Sequence, residues 1–200
     1  MKLCFATNNA HKIEEVAALL GQPFQLQTLE QIGCLVDISE TGDTLEANSL
    51  LKAQYVYERY GIDCFADDTG LEVTALNNAP GVISARYAGE HKNSQDNINL
   101  LLNNLRGHAN KNAQFRTIIT LILGGEVHQF EGIVAGKIIS EQRGSLGFGY
   151  DSVFVADGHT RTFAEMTIAE KSHLSHRARA MEKLVVFLKN GGIRNNLERK

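Results

Sequence analysis

The residues best suited to chemistry begin almost at the start of the chain. Thr7-Asn8-Asn9-Ala10-His11-Lys12 joins a short apolar run to an amphipathic segment. A turn there would aim backbone N–H groups, with the positive end of a helix dipole, at an anion, and Lys12 would add a full charge one turn in. It is no P-loop, because the glycines and the Lys-Ser/Thr pair are missing. Asp67-Asp68-Thr69-Gly70 closes a second apolar run, Ile62–Ala66, and the ends of strands are where open α/β sheets place ligands. A carboxylate at that point can hold Mg²⁺, orient a water or take its proton. Consecutive strand residues face opposite ways, so the two acids are not expected to form a dyad. One of them faces the ligand, and the other supports the site or caps a turn.

Further candidates are spread along the chain. Glu40-Thr41-Gly42 and Glu46-Ala47-Asn48 with Lys52 flank and enter a helical pattern and offer a second acid and a second cation. Glu46 and Lys52 are too far apart along a helix for an i,i+4 pair. Gly147-Phe148-Gly149-Tyr150-Asp151 sets aromatics and an acid among glycines, which allow close backbone approach and a ring face for stacking. Lys171, His176 and Arg177 gather hydrogen-bond donors near the last helix. Each piece also has an ordinary reading, as a capped turn, an Asx turn, a solvated helix face, a glycine turn or a basic surface turn.

The elements that must position these groups follow from periodicity. Leu3–Ala6 reads as a buried strand, and a helix runs from about 11 to 20 with Asn8 or Asn9 as its cap. A helix over about 44–60 precedes the Ile62–Ala66 strand, and Leu71-Glu72-Val73 resumes an alternating pattern. Ser94 caps a helix through Leu105. Phe115–Leu123 and Val127–Ile139 form a hairpin about Gly124-Gly125. A strand over Tyr150–Val155 and a helix over about 176–190, stopped by Gly191-Gly192, complete the pattern. Interleaved helices and strands with a long hairpin predict an α/β fold with a mixed sheet.

The 200 residues fit one domain, 1–200, with no linker or repeat. A net charge of −3 without a basic run argues against a nucleic-acid partner, although a few lysines in one place can still take a small anion. Cys4, Cys34 and Cys64, odd in number and unclustered in sequence, suit core thiols in a reducing compartment. The apolar opening is too short for a signal core, and no stretch reaches the length of a membrane span. A cytoplasmic protein without a membrane partner is expected.

Taken together and in order, Thr7-Asn8-Asn9-x-x-Lys12, Glu40-Thr41-Gly42, Glu46-Ala47-Asn48 with Lys52-Ala53, Ala66-Asp67-Asp68-Thr69-Gly70-Leu71, Pro80-Gly81 with Ser84-Ala85-Arg86-Tyr87, Gly147–Asp151 and Ser175-His176-Arg177 resemble the inosine triphosphate pyrophosphatase family. The resemblance spans nearly the whole chain. It implies Mg²⁺-dependent hydrolysis of nonstandard purine nucleoside triphosphates (ITP, dITP, XTP) to the monophosphate and pyrophosphate. It also implies an elongated α/β fold with two lobes around a central cleft, and a homodimer.

Carried over by position, Thr7, Asn8, Asn9, Ala10, His11 and Lys12 would cradle the triphosphate with Lys52. Asp68 would be the proton acceptor and, with Glu40, a Mg²⁺ ligand. Thr69 would contact substrate, and Phe148, Gly149, Tyr150, Asp151, Lys171, His176 and Arg177 would surround the base. Arg177 only donates hydrogen bonds, so aimed at the base it would favour a 6-oxo over a 6-amino purine. Two positions depart from the family pattern: Thr69 stands where serine is usual, and Ser152 where proline is frequent. Rival readings are action on another modified nucleotide, such as a modified pyrimidine, or a sensor without catalysis. Retention of Asp68, Glu40, Lys12 and Lys52 favours the enzyme.

Overall fold

A computed structural model describes residues 1–192. Its elements are β1 (Lys2–Phe5), α1 (Ala10–Leu20), β2 (Gln25–Gln27), α2 (Leu45–Tyr60), β3 (Cys64–Val73), β4 (Pro80–Gly81), α3 (Ser94–Asn104), β5 (Asn112–Leu123), β6 (Glu126–Ile138), β7 (Phe154–Ala156), α4 (Ile168–Lys171) and α5 (His176–Phe187). The strands pair in the order β2-β1-β3-β5-β6-β7, with β4 on β3. β1 runs parallel to β2 and β3, whereas β4 and β7 pair antiparallel. The class is α/β with a mixed sheet flanked by helices, as the interleaved pattern predicts.

The chain divides into two compact units. The first comprises Met1–Asp68, Thr117–Gly132 and the segment from Arg177 onward; the second comprises Thr69–Arg116 and Ile133–His176. Neither is a continuous stretch.

In the first unit the period-2 alternation of the strands sorts side chains into two cores. Leu3, Phe5, Phe65, Ile119 and Leu121 pack with Val16 and Leu20 of α1 and Met181 and Leu184 of α5. Cys4, Ala6, Cys64, Ala66 and Ile122 pack instead with Ala53 and Val56 of α2. Both faces of these strands are therefore covered, which explains why β1 and the start of β3 read as continuous apolar runs. All three cysteines are buried free thiols. Burial pushes the Cys4 and Cys64 thiols up to about 12. The second unit has its own core, in which Leu71, Val73, Ile98, Leu101, Phe115, Phe154 and Phe163 are central.

Local caps follow the sequence. Asn9 caps α1 by accepting from the Lys12 amide, and Thr44 caps α2 through the Ala47 amide. Four expectations are corrected. β3 does not stop at Asp67 but runs unbroken through Asp67-Asp68-Thr69-Gly70 to Val73, so that the polar residues continue the strand that the apolar ones begin. Asn93 rather than Ser94 caps α3, accepting from the Gln95 and Asp96 amides. Gly149–Ser152 is a 3₁₀ turn tied by the Asp151 carboxylate, and the strand begins only at Phe154. The last helix leaves α geometry at Phe187 and continues as a π-turn over Leu188–Gly192. Strands β2 and β4 were not legible, being too short to show a period.

Candidate active site

The unbroken course of β3 decides where its two acids go. Asp67 shares a strand face with Phe65, the side packed by α1 and α5, and Asp68 shares the α2 side with Cys64 and Ala66. The partners agree. Asp67, 0% exposed, accepts at Oδ1 from Lys12 Nζ of α1 at 2.9 Å, and at Oδ2 from Arg177 Nε and Nη2 of α5 at 3.1 and 3.0 Å. Arg177 also donates through Nη1 to Glu15 of α1. The result is a buried ring of alternating charge, Lys12, Asp67, Arg177, Glu15, closed by the one helical turn between Glu15 and Lys12. Burial opposes ionisation of Asp67, yet the Lys12 ammonium and Arg177 guanidinium outweigh it and hold the carboxyl well below the usual carboxylate range. Burial also lowers Lys12, with Lys52 and Arg177 adding to that effect against Asp67.

On the other side of β3, Asp68 Oδ2 accepts from Asn48 Nδ2 at 3.1 Å. Burial raises its carboxyl above the ordinary value, with nearby Glu40 adding to this and Lys52 and Lys12 opposing it. Lys52 donates to the Glu40 carboxylate and, at 2.7 Å, to the backbone oxygen of Asp67. Burial works against the Lys52 charge, but Asp68, Glu40 and Asp67 together raise its pKa. A desolvated ammonium surrounded by acids thus stays charged. Glu40, partly exposed, is drawn below its usual range by Lys52 although burial works against it.

Of the remaining first-unit candidates, Thr7 Oγ1 accepts from the Asn9 amide at 3.2 Å, and Asn8, exposed, donates to Val36 O at 3.4 Å. Ala10 and His11 open α1 on its exposed side. Thr69 follows Asp68 on β3 and is half-buried.

The second unit gathers the other set. Asp151 Oδ2 accepts from Lys171 Nζ at 2.8 Å and from the Phe148 amide at 3.0 Å. Lys171 Nζ lies 5.7 Å from the Phe148 ring centre and 5.6 Å from that of Phe163, close enough for cation–π attraction. Gly147 is required here: its φ is 74°, and a Cβ would fall 2.1 Å from Asp151 Oδ2. Gly149 opens the turn that follows, and Tyr150 donates from its hydroxyl to Ser84 O at 2.9 Å, which ties that turn down. The His176 ring stacks on Phe115 at 4.6 Å and on Phe163 at 6.3 Å.

Arg177 differs from expectation. It is 1% exposed, and three of its groups donate to Asp67 and Glu15. A guanidinium so held must be uncovered before it can meet a base. Sequence reasoning gave no site role to Glu15, Phe115 or Phe163, and quoted Asn48 and Ser84 only as members of motifs. The one available signal was the spacing of Lys12 and Glu15, one turn apart on α1.

Within the first unit, Lys12, Lys52 and Arg177 thus meet Glu15, Glu40, Asp67 and Asp68 around one stretch of β3. The Ham1 family model matches residues 3–187, and the chain belongs to the Ham1 family. A protein of Porphyromonas gingivalis named dITP/XTP pyrophosphatase is 54% identical over 94% of this chain and 97% of its own. One of the same name from Flavobacterium psychrophilum is 48% identical over 95% of this chain and 100% of its own. A solved HAM1 protein from Coxiella burnetii superposes with a TM-score of 0.87 at 34% identity, covering 96% of this chain and 100% of that one. Among the described residues no helix is long and apolar enough to cross a membrane.

Proposed function

We propose that this chain is a nucleoside triphosphate pyrophosphatase that hydrolyses nonstandard purine nucleotides (ITP, dITP, XTP) to the monophosphate and pyrophosphate. The observation that carries the reading is the placement of Lys12 and Lys52 about Asp67, directly beside Asp68, in a chain whose relatives bear the name dITP/XTP pyrophosphatase. The segment Thr7–Lys12 and Lys52 take the triphosphate. Phe148–Asp151, Lys171 and His176 take the base, with Arg177 joining them if it is released from its carboxylates, and Thr69 contacts the substrate.

Glu40 and Asp68 suit Mg²⁺. They are hard oxygen donors, and burial, with a smaller push from Glu40, raises Asp68 in a setting that a cation would relieve. Two carboxylates are enough, because Mg²⁺ takes its other ligands from phosphates and water. Bound there, Mg²⁺ supplies neutralisation of phosphate charge.

The chain's own groups do the rest. Asp68 accepts a proton from water as the water oxygen bonds to the α-phosphorus. The α–β bridging bond breaks with its electron pair leaving on pyrophosphate, whose charge Lys12 and Lys52 receive. Phosphoryl chemistry of this kind needs positioning and charge stabilisation more than covalent help. A homodimer and a cytoplasmic location belong to the same proposal.

The test is a panel of ITP, XTP, GTP, ATP and a modified pyrimidine triphosphate with Mg²⁺ and with chelator. ITP and XTP should turn over only with metal. ATP should be poorer in kcat/KM by at least about tenfold, the effect of one buried donor facing an amine. Equal use of ATP and ITP, or preference for the pyrimidine, would contradict the substrate class. Tight binding of ITP without turnover would instead favour the sensor.

A further inference from the structure

We propose that Asn48 is a positioning residue that sets the Asp68 carboxylate and the Glu40 loop relative to each other. The inference rests on the reading of Glu40 and Asp68 as the metal-holding acids. Asn48 lies on α2, 0% exposed, and both ends of its amide are used within the first unit. Nδ2 donates to Asp68 Oδ2 at 3.1 Å, and Oδ1 accepts from the Gly42 amide at 2.7 Å. A carboxylate can only accept and an N–H can only donate, so the amide has one workable orientation. No other side chain of this size supplies a donor to one segment and an acceptor to the other.

One turn further along α2, Lys52 spans the same two segments, taking the Glu40 carboxylate and the Asp67 backbone oxygen. Asn48 and Lys52 are therefore two rungs, i and i+4 on a helix face, between the loop at Glu40–Gly42 and the acids of β3. Lys52 holds Glu40 by charge, whereas Asn48 holds the loop backbone and fixes Oδ2 of Asp68. Gly42 shows how close the loop lies. A Cβ there would stand 2.7 Å from Ala47 Cβ and 2.9 Å from Asn48 Oδ1, so the loop backbone rests directly on α2. Buried polar groups that orient metal ligands typically change metal affinity by about 10–100-fold when removed.

The experiment uses the full chain and two variants. Asn48→Leu keeps the branched shape and the number of side-chain heavy atoms and removes both hydrogen bonds; Gly42→Ala pushes the loop off α2 without touching a charged group. Mn²⁺ stands in for Mg²⁺, with affinity read from paramagnetic water relaxation in the presence of a non-hydrolysable imido analogue of ITP. Analogue affinity without metal and thermal stability are measured alongside. The expected result is Mn²⁺ affinity weaker by about tenfold or more in both variants, analogue affinity without metal unchanged, and kcat lowered at saturating Mg²⁺. A loss of thermal stability with Mn²⁺ affinity within about twofold of the parent would overturn the proposal, since a packing role alone predicts that outcome. If Asn48→Leu does not fold, Gly42→Ala decides by the same readout. A parent that neither binds Mn²⁺ nor cleaves ITP would instead overturn the reading of the site itself.

Discussion

Asp68→Asn is expected to fold as the parent does and to lose at least roughly two orders of magnitude in kcat, the scale of a lost general base. Folding survives because the substituted amide keeps the shape of the side chain and can present its oxygen to Asn48 Nδ2. The charge is also dispensable to the fold, since burial already disfavours it and raises the carboxyl. What disappears is the proton acceptor and one of two acids for the cation. Steady-state kinetics on ITP with saturating Mg²⁺, beside a thermal melt, is the check. Turnover within about tenfold of the parent would remove Asp68 from the role of base.

Asp67→Asn is expected to behave the other way round, as a stability variant first. Alternation along a strand alone predicts a mild effect for Asp67, on the ground that its side chain points away from the chemistry. The structure gives it a larger task, because it is the fully buried anion between Lys12 and Arg177. With the carboxylate gone, Lys12 and Arg177 lose the buried anion they share. Breaking a buried pair in this way costs about 3–5 kcal/mol, readable as a lower urea midpoint with an unchanged slope. The sign of the pH dependence follows from the depressed pKa. The Asp67 contribution is complete above the ordinary value of 3.8 and is lost as the pH falls from there through the folded value. Asp67→Asn should therefore flatten stability against pH in that acid window. A cost below about 1 kcal/mol would mean that the ring relaxes or admits water, and would contradict its description as a tight buried network.

The local parts of this fold were largely legible, and the non-local parts were not. The cap at α1, the hairpin at Gly124-Gly125 and the helical faces follow from neighbours a few residues apart. The acid pair was located, and its opposite-facing geometry followed from strand alternation. Its partners could not be read, because Lys12 lies 55 residues from Asp67 and Arg177 lies 110 away. β3 was cut short because polar residues at a strand exit look like a turn until both neighbouring strands are known. Arg177 looked like a base reader from its place in a donor-rich stretch. Only the packing of α5 shows it turned onto Asp67 and Glu15 while the preceding His176 stacks on Phe115. Asn48 was quoted as part of a motif but given no task, since an amide's role depends on what lies at each of its two ends.

The central claim is attack of water on the α-phosphorus, and hydrolysis of ITP in ¹⁸O-water tests it most directly. Mass spectrometry of the products should place one ¹⁸O in IMP and none in pyrophosphate, with no IDP and no early orthophosphate. That pattern follows if Asp68 directs water at the α-phosphorus while Lys12 and Lys52 hold the leaving pyrophosphate. Label in pyrophosphate would mean attack at the β-phosphorus, and IDP with labelled orthophosphate would mean attack at the γ-phosphorus. Either result would contradict the account.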